Sequence, residues 1–157
     1  MASAVRAHLG LALRQIGRHD EALAELRAAV TEARTLGSLH GLAFALVHLA
    51  HTELDAGRVA VVPALIKEAD DVARRARNPR CPAWAAWARA RLALADGDPA
   101  TAADECRSAL DLLEDREFPW ARAQLWTALA DAAEAAGRTG EAARARATAA
   151  TLDTRPA

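Results

Sequence analysis

His48 and His51 stand three residues apart, the spacing that brings two imidazoles to one face of a helix, and His40 and Glu53 lie near enough in sequence to be further metal donors. No second pair at matching spacing completes a four-ligand site, so histidines of a surface or groove account for the same pattern. Trp84 and Trp87 are also three apart. Rings in such a pair either pack a core or anchor a partner, where one buried ring can be worth about 2 kcal/mol or more. Arg74, Arg75, Arg77, Arg80, Arg89 and Arg91 form a run with no intervening acid, which suits phosphate or an acidic partner. Asp96, Asp98, Asp104, Glu105, Asp111, Glu114, Asp115 and Glu117 follow it, however, and offer these arginines partners within the fold.

The remaining chemistry is quickly bounded. Cys81 and Cys106 show neither CxxC spacing nor a neighbouring histidine cluster, and read as two buried thiols in a reducing compartment. No nucleophile stands at motif spacing from a base, no glycine-rich loop could cradle phosphates, and Ser3, Ser38 and Ser108 read as cap or surface residues. The expectation is a protein with no catalytic residue, no cofactor and no metal.

The elements that must position these side chains are set by a forty-residue period. Gly17 recurs as Gly57, Gly97 and Gly137; Ala22 as Val62, Ala102 and Ala142; Ala29 as Ala69, Ala109 and Ala149. A period of this size marks a stacked repeat, in which each unit buries its apolar face against its neighbours. Apolar spacings of three and four predict a helix over Ser3 to Ile16, a second capped by His19 or Asp20 and closed at Gly37, and a third from Ser38 to Gly57. A fourth runs from Arg58 to Arg77, where Asn78-Pro79 breaks it. A fifth spans Pro82 to Ala95, and Asp98-Pro99 opens the sixth. The seventh starts at Phe118-Pro119-Trp120, the eighth at Gly137-Arg138-Thr139, and the chain is expected to fray from Thr151. No strand pattern survives, so the fold class is all-α. Trp126 shares its column with Leu46 and is assigned to the core, and Trp120 to a staple at the start of the seventh helix.

Composition agrees. The chain of 157 residues is 52% hydrophobic, much of it alanine, with Lys+Arg 20 against Asp+Glu 21. A net charge of −1 gives no overall attraction to nucleic acid or to an anionic membrane surface. No apolar run approaches a membrane span and Met1 to Gly10 carry no cleavable signal pattern, so the expected location is the cytoplasm.

Leu9-Gly10, Leu13, Gly17, Ala22, Leu26 and Ala29 resemble the core pattern of the tetratricopeptide repeat, and the same columns return as Leu49-Ala50, Gly57, Val62, Ile66, Ala69 and as Leu129-Ala130, Gly137, Ala142, Ala149. The third unit departs from the pattern at Arg89, the last at Arg146, and the usual tyrosines are absent. Phrases such as Leu94-Ala95-Asp96-Gly97-Asp98-Pro99 also resemble the helical tails of large ATP-dependent bacterial transcriptional regulators of the LuxR and SARP type. The resemblance implies a single domain over 1–157, a right-handed superhelical α-solenoid of four helical hairpins in units of about 3–37, 38–78, 81–116 and 118–152. It further implies a concave groove lined by the first helix of each hairpin. At the forty-residue period one groove column holds Ala4, Phe44, Trp84 and Gln124; the next holds Ala7, Val47, Trp87 and Thr127; a third holds Leu11, His51, Arg91 and Asp131. Arg14 and Arg91 alone could serve a carboxylate clamp, so the implied partner is an apolar or aromatic protein or peptide segment. Small-molecule sensing at the Trp84/Trp87 patch and self-association through the end hairpins, giving a homodimer, stand as alternatives. A groove constellation of His51, Arg91 and Asp131 is the one arrangement on which catalysis could rest.

Overall fold

The computed structural model describes residues 2–113 and 118–153, and every regular element among them is helical. In order these are α1 (Ala2–Gln15), α2 (His19–Thr35), α3 (Leu39–Asp55), α4 (Val62–Arg75), α5 (Arg80–Ala95), α6 (Pro99–Leu113), α7 (Pro119–Ala135) and α8 (Thr139–Asp153), with a 3₁₀ turn at Val59–Val61 leading into α4. Glu114, Asp115 and Glu117 of the acidic run, and the tail beyond 153, lie outside the described residues. Thr151 and Leu152, expected to fray, belong to the last turn of α8.

The forty-residue period is a period of turns. Gly57 adopts φ +72°, a left-handed conformation that any Cβ would strain. Its amide donates to the Leu54 carbonyl at 3.0 Å and that of Arg58 to the Glu53 carbonyl at 2.8 Å, the paired bonds that close a helix C-terminus. The outer bond recurs from Arg18 to Leu13, Asp98 to Ala93 and Arg138 to Ala133. Helix starts vary more. Asp98 accepts from the Thr101 amide at 3.0 Å and its hydroxyl at 2.6 Å, as the sequence predicts for a cap. At α2 the cap position is Arg18, with no side-chain capping bond, so neither His19 nor Asp20 caps. α5 begins two residues before Pro82 because Asn78 Oδ1 accepts from the Arg80 amide at 3.0 Å.

The helices gather into two compact units, Met1–Cys81 and Pro82–Ala157. In the first, α1 packs on α2, α2 on α3 and α3 on α4, and α1 also touches α3. In the second, α6 packs on α7 and α7 on α8. α5 is tied to α6 by Arg89–Glu105 at 2.8 Å and to α7 by an edge-to-face contact of Trp87 with Trp120, ring centroids 5.9 Å apart. Arg89 thus compensates for the leucine missing from its column.

Small residues set the spacing of the helices. Ala22, Val62, Ala102 and Ala142 are buried, as are Ala29, Ala69, Ala109 and Ala149. The tightest crossing is at Gly10 of α1, where a Cβ would stand 2.6 Å from Leu26 Cγ and 3.2 Å from the Ala22 carbonyl oxygen. No real Cβ sits at 2.6 Å from carbon, so α1 and α2 approach only because position 10 is bare; the same column holds buried Ala50, Ala90 and Ala130. Gly10→Ala is therefore expected to destabilise the chain by about 1–3 kcal/mol, an overpacking cost that outweighs the helix propensity gained. Urea unfolding followed by circular dichroism measures it, and unchanged or raised stability would show that the crossing is loose.

Candidate functional site

The residues expected to line a groove divide by burial. Val47 and His51 are buried in the first unit, and Trp84 and Trp87 in the second retain only 6% and 4% of their surface. Phe44, Gln124, Arg14 and Arg91 are half-buried, while Thr127 and Asp131 are exposed. The four buried side chains form no open aromatic patch in this structure, and the physical reason is area. An indole has so much apolar surface that interior packing outweighs exposure unless a partner covers it. Trp87 spends its edge on Trp120, which is therefore more than a local staple of α7. Thr127 turns its hydroxyl back to the Ala123 carbonyl at 2.9 Å.

In the first unit the aromatic and polar residues make a file that runs from the surface at His8 into the core at His48 and His51. His8 stacks on Phe44 at 5.0 Å, Phe44 meets His48 edge-on at 4.3 Å, and His48 lies 6.0 Å from His51. Burial, with Arg14 and His8 adding like charge, pushes His48 down to about 3. It is a neutral core imidazole. Among the described residues no three His, Cys, Asp or Glu side chains converge to hold a metal ion. Beside this file Glu53, with only 3% of its side chain exposed, accepts from Arg27 at 2.7 Å and Arg58 at 3.0 Å, while Arg14 reaches Asp55 at 2.5 Å. Arg14 is therefore committed to an ion pair.

One juxtaposition escaped the sequence reading. His40 Nδ1 lies 2.9 Å from Asn78 Nδ2 and 3.9 Å from Cys81 Sγ, a cysteine, histidine and asparagine drawn together from positions 38 and 41 residues apart. The geometry is not that of an activated thiol. Both neighbours address the same ring nitrogen, Cys81 is buried, and desolvation raises its pKa. The other thiol, Cys106, is pushed up to about 12 by burial, with Glu105 adding to it. Of His51, Arg91 and Asp131, His51 has no exposed surface, while the Asp131 carboxyl, its pKa raised by desolvation, is exposed and pairs with Arg146 at 3.5 Å.

A cleft of about 540 Å³ lies within the second unit among α6, α7 and α8. Its floor is Trp126 and Leu129 of α7. One wall is Arg107, Leu110 and Asp111 of α6, the other Glu141, Arg144, Ala145 and Thr148 of α8. Trp126, assigned to the core from its column, is only half-buried and faces this cleft, and its Nε1–H is buried without an acceptor among the described residues. Across the cleft Arg107 pairs with Glu141 at 3.2 Å; Asp104 holds the same arginine at 3.0 Å and Arg138 the same glutamate at 3.0 Å. The arginine run shows no comparable cluster: Arg74 pairs with Asp71, and Arg89 with Glu105.

The chain matches no known protein-family model, and a comparison with curated proteins finds no significant relative. Among the described residues no helix is long and apolar enough to cross a membrane.

The buried imidazole sets a pH dependence. The folded pKa of His48, about 3, lies below the unfolded value of 6.5, so between these limits the unfolded chain binds a proton that the folded chain refuses. Its contribution to stability is complete above pH 6.5 and is lost as pH falls, by up to about 1.4 kcal/mol per pH unit. Urea midpoints measured from pH 7 to pH 4 should drop less steeply in His48→Gln than in wild type. Parallel slopes would mean that His48 is protonated in the native state.

Proposed function

We propose that this chain is a non-catalytic binding module of the tetratricopeptide type, taking a protein or peptide partner, and that the partner engages the second-unit cleft in place of the expected groove columns. The repeat reading is supported by what packs on what inside each unit. First helices meet first helices, α1 on α3 and α5 on α7 through Trp87 and Trp120. Second helices meet second helices, α2 with α4 through Arg34–Glu68 at 2.7 Å and α6 with α8 through Arg107–Glu141. That is the neighbour relation of a stacked repeat. The resemblance to regulator tails makes an interaction segment of a cytoplasmic bacterial regulator the natural setting.

The observation that carries the binding reading is the cleft with its half-buried Trp126. Concave sites with an apolar floor and a few placed polar groups are where ligands bind, and an exposed indole is a recurrent anchor. Screening an array of short peptides against the wild type should yield binders, and Trp126→Ala should weaken them about tenfold or more while leaving the helical signal intact. Binders indifferent to Trp126→Ala would move the site elsewhere; an empty screen would remove the reading.

A second reading, self-association, is favoured by the outer face of α1, where Val5, Leu9 and Ile16 are 61%, 46% and 67% exposed. Forty residues on, the counterparts Ala45 and Leu49 are buried, covered by the packing of α2 on α3. Sedimentation equilibrium should then show a dimer in the wild type and a monomer in Leu9→Glu; a wild-type monomer discards it.

A further inference from the structure

The two units carry the same helical registers, and comparing them shows how the cleft opens. Eighty residues before Trp126 stands Leu46, fully buried; eighty before Leu129 stands Leu49, also buried; eighty before Ala145 stands Leu65. In the first unit a leucine of α4 thus occupies the position that Ala145 leaves nearly bare on α8. The exchange of Leu65 for Ala145 removes wall volume, and the exchange of Leu46 for Trp126 puts an indole at the floor. The lining of α8 runs from Glu141 to Thr148, seven rises or about 10 Å of helix. That matches about three residues of an extended chain.

The charges around this space are not equivalent. Arg107 and Glu141 hold each other and are each held by a further partner, so neither is available. Arg144 on the α8 wall and Asp111 on the α6 wall have no ion pair among the described residues, and both are exposed. The cleft therefore presents one uncommitted cation and one uncommitted anion on opposite sides of an aromatic floor. The Nε1–H of Trp126 is buried, so what the indole offers to the cleft is its apolar surface.

We propose that the cleft binds an extended peptide segment of about three residues, in which an aromatic or large apolar side chain covers Trp126 and is flanked by an acidic residue paired with Arg144 and a basic residue paired with Asp111. This specificity rests on the binding-module reading above and adds the chemistry of the partner. Single-sign peptides meet repulsion at one wall, and the wall charges select the order of the flanking residues.

The test uses isothermal titration of blocked peptides with Glu-Phe-Lys and Lys-Phe-Glu cores in glycine-serine flanks, with Glu-Phe-Glu and Lys-Phe-Lys as controls. Wild type should bind one mixed-charge order about tenfold more tightly than the other and than either control. Arg144→Glu with Asp111→Lys should invert that order preference. Ala145→Leu, which rebuilds the wall as the first unit has it at Leu65, should abolish binding with an unchanged melting temperature. Binding that is lost in Ala145→Leu but ignores peptide charge would overturn the charge-paired specificity and leave the binding module standing. No binding of any of the four peptides at millimolar concentration would overturn the specificity, and an array screen that still yields Trp126-dependent binders would then show the module reading to survive without it.

Discussion

Everything in this chain depends on how closely its helices can approach one another. Alanine at the crossing columns, and glycine at position 10, remove the side chains that would hold the backbones apart. Each such contact buries little area, and at roughly 25 cal/mol per Å² the stabilisation from one alanine is small. Many crossings in parallel make up the difference. The tight approach has a second effect, because it leaves no room at those columns for a large side chain. Phe44, His48, Trp84, Trp87 and Trp126 all belong to the registers between the crossings, and there a change in one residue alters a cavity without separating the helices.

The cleft in the second unit is a case of that freedom. The crossing residues Ala102, Cys106, Ala109 and Ala142 are as buried as Ala22, Leu26, Ala29 and Val62 in the first unit, so the frame is the same. The lining differs at several registers, among them Ala145 for Leu65, Trp126 for Leu46, Glu141 for Val61 and Arg144 for Ala64. Arg146 departs from its column too, but outward: where Ile66 packs inside, it is exposed and bridges Asp131 and Glu134. The last helix thereby carries less apolar bulk at two successive positions. Its outer face becomes charged, while its inner face keeps Ala142, Ala145 and Ala149 against the unit.

The turns were legible in the sequence for a physical reason. A left-handed residue closing a helix is nearly obliged to be glycine, so Gly17, Gly57, Gly97 and Gly137 announce their conformation, and all four adopt φ between +72° and +77°. Asp98-Pro99 announces a helix start just as directly. Which face of a helix is covered is a different kind of fact. The forty-residue columns identify equivalent positions, but equivalence transfers exposure only where the neighbours are equivalent as well. Leu9 and Leu49 share a column and differ in exposure because α2 covers α3 and no described helix covers that face of α1. Trp126 and Leu46 share a column too, yet Leu46 is fully buried and Trp126 only half-buried. Likewise His40, Asn78 and Cys81 meet only through packing, which no local pattern encodes.

The titratable groups of the interior point the same way as the packing. His48 is held neutral far below its ordinary pKa, and Cys106 far above, both chiefly by desolvation. Acid-base and nucleophilic catalysis need the opposite, a group poised near the working pH with its reactive form accessible. The acidic and basic side chains inside or at the edge, such as Glu53 with Arg27 and Arg58, are met by partners rather than aimed at open space. Arg144 and Asp111, uncommitted across an aromatic floor, break that rule within the cleft. In the proposed module, these two opposite charges beside a half-buried indole are the groups that recognition would use. The energy of binding would come from the indole and the choice of partner from the two walls, since exposed charge pairs contribute little affinity but penalise the wrong sign.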